Sequence, residues 1–257
     1  MGERDITASP GPGGLIRVGH KGADLIAPGN TRESFDAALG HGVHMIEFDV
    51  LPERYHDRGG RMLLAHDYED ARSREPLTLE EGLAHLAAPA FAGLRLDVDL
   101  KLPGYESRVV AALREHGLVD RALVSSQYPE SLDAVRREEP RLGLGWSVPR
   151  ARRDYTDSKL WLAPALAMLA ALRVWVPRRA ARDLGSGRID AVMSHWRLVT
   201  PGLVRAVRGA GGELYVWTVD ELPRIRELAA LGVTGVITND PRLFSGLDPA
   251  AAAPVPG

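Results

Sequence analysis

The stretch Val43-His44-Met45-Ile46-Glu47-Phe48-Asp49-Val50 decides how this chain folds. It is a short, mostly apolar run of strand length bounded by turn-forming glycine, and it carries two acids near its end. Their i, i+2 spacing puts Glu47 and Asp49 on one face of a strand.

Runs of the same kind recur outward from it, at 15–19, 94–100, 121–125, 142–147, 189–193, 213–217 and 234–237. Most are followed by helical periodicity, clearest over 31–40, 104–116, 129–138, 200–210 and 221–231. Thr31 with Ser34, Pro129 with Glu130, and Thr200 with Pro201 supply helix starts, and Gly40, Gly117 and Gly232 supply stops. Eight strands alternating with helices predict an α/β protein, a (β/α)8 TIM barrel. A doubly wound open sheet is the alternative, weakened because no Gly-x-Gly-x-x-Gly follows an early strand. The expected organisation is a flexible lead-in over 1–14, a single barrel domain over 15–247 and a disordered tail over 248–257.

With 257 residues, 45% of them hydrophobic, the chain can build one large core. A net charge of -2 offers no basic excess for nucleic acid and no acidic block for a disordered tail. Without cysteine there are no disulfides and no thiolate metal sites. Met1 to Thr7 lack the apolar core of a secretion signal, so a cytoplasmic protein is expected.

In a barrel, catalytic groups sit at the C-terminal ends of strands. His20 closes the first strand, Glu47 and Asp49 the second, and Asp99 and Lys101 the third. Ser125 and Ser126 end the fourth, Trp217 and Thr218 the seventh, Thr238 and Asn239 the eighth. Glu47, Asp49 and Asp99 are hard oxygen ligands suited to Mg²⁺ or Ca²⁺; the plainer reading pairs Glu47 with Lys101 and leaves the others as loop caps. His20 and His66 have the ring chemistry to move protons near neutral pH, and Asp67 beside His66 is placed to fix its tautomer. Either imidazole would also serve as a hydrogen-bonded strand end. Lysine offsets phosphate charge. Trp217, Ser126, His195 and Asn239 are expected around a substrate pocket, Trp217 as an apolar wall unless it is simply core. Together these groups are what cleavage of a phosphodiester requires.

The residues resemble the glycerophosphodiester phosphodiesterase family. The likeness runs through Val18-Gly19-His20-Lys21-Gly22-Ala23, Ala27-Pro28-Gly29-Asn30-Thr31, Gly42 to Val50, His66-Asp67 and Asp99-Leu100-Lys101. It continues in Val124-Ser125-Ser126, Val216-Trp217-Thr218-Val219-Asp220 and Gly232 to Pro241. The resemblance implies a TIM barrel that hydrolyses glycerophosphodiesters to glycerol phosphate and an alcohol. It implies a divalent metal on Glu47, Asp49 and Asp99, His20 and His66 as general base and general acid, and Lys21 and Lys101 on phosphate. Four departures stand out. Lys21 replaces the usual arginine, losing its bidentate fork. Gly29 replaces the glutamate of Pro-Glu-Asn-Thr, Asp99 replaces a glutamate, and the insertion that usually follows His66 is reduced. A smaller insertion implies an open pocket suited to larger substrates.

Asp99-Leu100-Lys101, Trp217 to Asp220 and Thr238-Asn239 also resemble phospholipase D toxins, which cleave lysophospholipids or sphingomyelin through a cyclic phosphate. Those proteins normally carry cysteines, so this reading ranks second. A non-catalytic phosphodiester-binding barrel ranks behind both, because a binder needs no pair of proton-transfer groups.

Residues 160–176 are apolar on nearly all faces and are flanked by Arg152, Arg153, Lys159, Arg178 and Arg179. Pro164 and Arg173 interrupt the run, which is short for a membrane span. Hydrophobicity all round favours an outer barrel helix packed into the core or an interface. Peripheral contact with a membrane is the second reading.

Overall fold

The computed structural model describes residues 14–149 and 162–247. The expected lead-in, the expected tail, and Arg152, Arg153, Lys159 and Trp161 lie outside the described residues, Gly14 excepted.

Among the described residues nine strands form one sheet: β1 (Ile16–Gly19), β2 (Met45–Arg54), β3 (Asp57–Leu64), β4 (Arg95–Leu100), β5 (Ala122–Ser126), β6 (Gly143–Val148), β7 (Ala191–His195), β8 (Glu213–Trp217) and β9 (Gly235–Thr238). Eight of them are parallel, and β1 pairs with both β2 and β9, so the sheet closes into the expected (β/α)8 barrel. β3 runs antiparallel to the outer half of β2 and makes the hairpin between Asp49 and His66. The helices are α1 (Arg32–Gly40), α2 (Tyr68–Ser73), α3 (Leu79–Leu86), α4 (Glu106–Glu115), α5 (Pro129–Glu138), α6 (Leu162–Gly185), α7 (Pro201–Gly209) and α8 (Leu222–Leu231). Between His66 and β4 the chain forms only α2, α3 and a single turn, in keeping with a reduced insertion.

Strand alternation divides the core. On β2, Ile46 and Phe48 point outward and pack with Phe35 of α1 and Leu83 of α3. Met45 points inward and meets Val18, Met193, Tyr215 and Ile237 inside the barrel. At the start of β4, Arg95 donates to Tyr215 Oη at 2.8 Å and to Glu213 Oε2 at 3.0 Å, closing the lower end of the barrel with a satisfied ion pair. Polar groups facing inward farther along the strands therefore gather at the upper end.

Burial of the 160–176 run does not hold along its length. Val176, Ala180 and Leu184 of α6 are buried, but Leu166, Met168, Val174 and Trp175 are 52, 51, 54 and 46% exposed. The cause is length. α6 has 24 residues, about 36 Å, against about 20 Å for the six residues of β6. Among the described residues, no helix is long and apolar enough to cross a membrane.

Candidate active site

The turn after β1 is built by close backbone approach. A Cβ on Gly19 would lie 2.1 Å from the Gly22 carbonyl oxygen, and one on Gly22 would lie 2.6 Å from Ser34. Lys21 is held in the left-handed region at φ 50°, and its N–H donates to Glu47 Oε2 at 2.8 Å. Asn30, also left-handed, donates from Nδ2 to Asp49 Oδ2 at 2.9 Å and accepts the Asp49 N–H at 3.0 Å. The loop between β1 and α1 thus fixes both acids of β2.

Sheet register completes the acidic group. β2 and β4 pair in parallel with Glu47 opposite Asp97 and Asp49 opposite Asp99, so four carboxylates form two rungs on the inner face. Oxygens of Glu47, Asp49 and Asp99 lie within 4.8 Å of one another. Lys101 Nζ sits 2.5 Å from Asp49 Oδ1 and 2.6 Å from Asp99 Oδ2. Burial and the neighbouring Asp49 push the Glu47 carboxyl well up. Burial acts the same way on Asp49, but Lys101 and His66 outweigh it and hold that carboxyl well below the usual range. Burial would lower Lys101, yet Asp49 and Asp99 push it well up. Asp97, buried and beside Asp99, is pushed up to about 8, and its Oδ1 has no hydrogen-bond partner. A hard, all-oxygen donor set with an orphaned buried oxygen beside it, its charge partly met by an ammonium, fits a divalent cation.

The histidines stand against different acids. His20 Nε2 is 3.8 Å from Glu47 Oε2, and His66 Nδ1 is 3.4 Å from Asp49 Oδ2. Burial lowers His20, which favours the neutral ring. Its tautomer is set from behind. Asn239 Nδ2 donates to Asp220 Oδ2 at 2.7 Å, which leaves Asn239 Oδ1 to accept from His20 Nδ1 at 2.6 Å. Asp220 also receives Thr238 Oγ1 and the Asn239 N–H. His20 Nε2 is left with its lone pair on the side of the acids.

A cavity of 290 Å³ opens over this group; His20, Lys21, Glu47, His66, Asp99, Lys101 and Trp217 all line it. Asp49 lies beneath, fully buried.

A model of the glycerophosphoryl diester phosphodiesterase family matches residues 91–243. The chain belongs to this family. It is 24% identical over 265 residues to the glycerophosphodiester phosphodiesterase of Caldanaerobacter subterraneus subsp. tengcongensis, covering 90% of this chain and 96% of that one. Its fold matches a glycerophosphodiester phosphodiesterase from Parabacteroides distasonis at TM-score 0.69 and 17% identity, covering 91% and 99% of the two chains. It also matches an Oleispira antarctica phosphodiesterase, solved in complex with the product sn-glycerol-3-phosphate, at TM-score 0.64 and 17% identity over 90% and 96%. This enzyme is therefore a glycerophosphodiester phosphodiesterase.

Three expected pocket residues of this phosphodiesterase do not line the cavity. Ser126 Oγ is buried and donates to the Leu100 carbonyl at 2.9 Å; the register Asp99 opposite Ser125 turns Ser125 inward instead. His195 sits behind Trp217, with ring centroids 5.2 Å apart. Asn239 acts from behind His20. Asp67 does not orient His66 either, because its carboxylate caps α2 on the Glu69 and Asp70 amides. Lys101 pairs with Asp49 and Asp99, while Glu47 takes the Lys21 amide. Asp97, Ser147 and Met193, not singled out beforehand, also line it, together with Ser125, Gln127, Thr218 and Ile237. Asp97 was legible in principle, since it alternates with Asp99.

The departures at Lys21 and Gly29 are linked through Asp24. Asp24 Oδ2 accepts from Lys21 Nζ at 2.9 Å, and Oδ1 accepts the Gly29 N–H at 2.8 Å. A Cβ on Gly29 would fall 2.5 Å from Asp24 Oδ1. The Asp24 carboxylate thus occupies space that a side chain at position 29 would need.

Proposed function

We propose that the enzyme hydrolyses a glycerophosphodiester to glycerol phosphate and an alcohol, with His20 as general base, His66 as general acid and a divalent cation, Mg²⁺ or Ca²⁺, held by Glu47, Asp49 and Asp99. The observation that carries the reading is the pair of imidazoles on different members of one carboxylate cluster. When bound, the cation supplies Lewis-acid polarisation of a phosphoryl oxygen. The attacking oxygen belongs to water, or to a neighbouring substrate hydroxyl that first closes a cyclic phosphate which water then opens to glycerol phosphate; in either route it loses its proton to Nε2 of His20. The Asn239 hydrogen bond on Nδ1 supports that tautomer. His66, half exposed at the cavity edge, gives a proton to the leaving alcohol oxygen. Lys101 and Lys21 offset negative charge building on phosphorus. Trp217, Met193 and Ile237 supply an apolar side for the rest of the substrate. The product bound in the Oleispira antarctica relative supports glycerol phosphate as the released half.

The test is turnover of glycerophosphocholine with Mg²⁺, Ca²⁺ or chelator, followed by ³¹P NMR. Cation-dependent release of glycerol phosphate is expected. His20→Ala and His66→Ala should each lower kcat by about 10²–10⁴-fold while the melting temperature holds. Full activity in either variant removes that histidine from the mechanism.

A further inference from the structure

The catalytic histidines, lysines and acids reach the cavity from β1 to β4 and the loops that follow those strands. The rest of the lining, from β5 to β9, carries no charged group. It is polar at Ser125, Gln127 and Ser147, at the ends of β5 and β6, and mostly apolar from β7 to β9. Ser125 gives its hydroxyl to Asp99 Oδ1 at 3.2 Å. Gln127 and Ser147 differ from it. Among the described residues neither side chain has a hydrogen-bond partner, yet Ser147 is only 7% exposed. A buried hydroxyl without a partner is costly, and this one borders the cavity.

Strand packing sets its position. Gly145 precedes Ser147 by two residues on the same face of β6, and a Cβ on it would fall 2.9 Å from Leu123 and 3.0 Å from Met193. Those two side chains fill the barrel below Ser147 and make it an inner boundary of the cavity. Around the closed sheet β6 is four strands from β1 in either direction, so Ser147 stands across the barrel from His20. The opposite direction is open. Lys21 and His66 also line a second cavity of 470 Å³, with Asp24, Asp70, Ser73 and Arg74 around it. His66, its side chain 49% exposed, stands where the two cavities meet. It gives its proton to the leaving alcohol, so that half of the diester lies on the outer side of the phosphate. The glycerol half then points inward. Its carbons meet Met193, Trp217 and Ile237, and its far hydroxyl meets an amide and a hydroxyl that can both donate and accept.

We propose that Gln127 and Ser147 bind the terminal hydroxyl of the glycerol half and so fix the direction in which the diester lies. The proposal rests on the hydrolase reading above. It holds for either attacking oxygen, because the terminal hydroxyl is not the one next to the phosphoester carbon.

The full chain is assayed on glycerophosphocholine and on 2-hydroxypropyl phosphocholine, which keeps the hydroxyl next to the phosphoester carbon and lacks the terminal one. The wild type should favour the glycerol diester by about tenfold or more in kcat/KM, because the analogue leaves the polar groups of the wall without their partner. Gln127→Leu and Ser147→Ala should each shrink that preference, and the double variant should bring the ratio near one. A merely structural role would lower turnover of both diesters alike and keep the ratio. The proposal is overturned if the wild type treats the two diesters equally or if the double variant keeps the wild-type ratio. If the wild type turns over neither diester, the hydrolase reading fails, and calorimetry with glycerol phosphate against 2-hydroxypropyl phosphate tests the hydroxyl site by itself. A binding preference that the double variant loses upholds the site, and equal binding of the two by the wild type sinks it.

Discussion

Lys21, Asp24 and Gly29 form one unit. The ammonium faces the cavity because Asp24 holds it there, and Asp24 fits because position 29 has no side chain. Asp24→Ala should therefore lower kcat/KM by about tenfold or more, the scale of one charged hydrogen bond, and Gly29→Ala should do the same by displacing the carboxylate. Steady-state kinetics on a soluble diester would check both; wild-type values would mean that Lys21 is positioned without Asp24. On the other side of the site, Asp220 and Asn239 fix which nitrogen of His20 carries the proton. Asn239→Ala should lower kcat by about 10–100-fold, the usual cost of losing an orienting partner, with KM little changed. A change in KM alone would make Asn239 a substrate contact instead.

At the scale of elements, charge pairs tie neighbouring helices together. Glu139, which ends α5, accepts from Arg114 Nε of α4 at 2.9 Å and from Arg141 Nε at 3.1 Å. The Arg141 and Arg114 hydrogen bonds hold its carboxyl down at about 2. A carboxyl that is more acidic in the fold than in the unfolded chain stabilises the fold fully above its unfolded value, about 4.3. That contribution fades as pH falls toward 2. Glu139→Gln should consequently melt below wild type at pH 7, and the gap should close as pH falls through about 4 and toward 2. Thermal unfolding of both proteins across that range decides it; a gap independent of pH would point to packing rather than charge.

The whole molecule concentrates four carboxylates, Glu47, Asp49, Asp97 and Asp99, at one end of the barrel, against the ammonium groups of Lys21 and Lys101. Lys101 meets two of the acids directly, and Asp97 Oδ1 finds no partner. A cation that binds only the folded barrel stabilises it by about 2.7 kcal/mol at a hundred times its Kd, or roughly 5–10 °C for a domain of this size. Melting in chelator and in rising Mg²⁺ or Ca²⁺ should show that rise. Asp49→Asn should abolish it, and an unchanged melting temperature in wild type would argue against the carboxylate site.

Much of this was legible because the features are periodic within one element. Two-residue alternation put Glu47 with Asp49 and Asp99 with Lys101 on single faces, and alternating strands and helices defined the barrel. What lies between elements was not legible. Ser125 and Ser126 are adjacent and chemically identical, and only the register against Asp99 turns the first inward. Asp67 follows His66 in the chain, but helix capping claims it, and Asp49 of β2 takes its place. Asp24 reaches the space beside Gly29 through a loop whose path has no period. The apolar run of α6 reads the same whether the barrel covers it or stops short of it. Sequence by itself determined the elements, their faces and the chemistry at the strand ends, because local sterics and periodicity act on neighbours along the chain. Tertiary structure alone decided register, partner choice and which apolar surface stays uncovered, because those depend on distances between residues far apart in sequence.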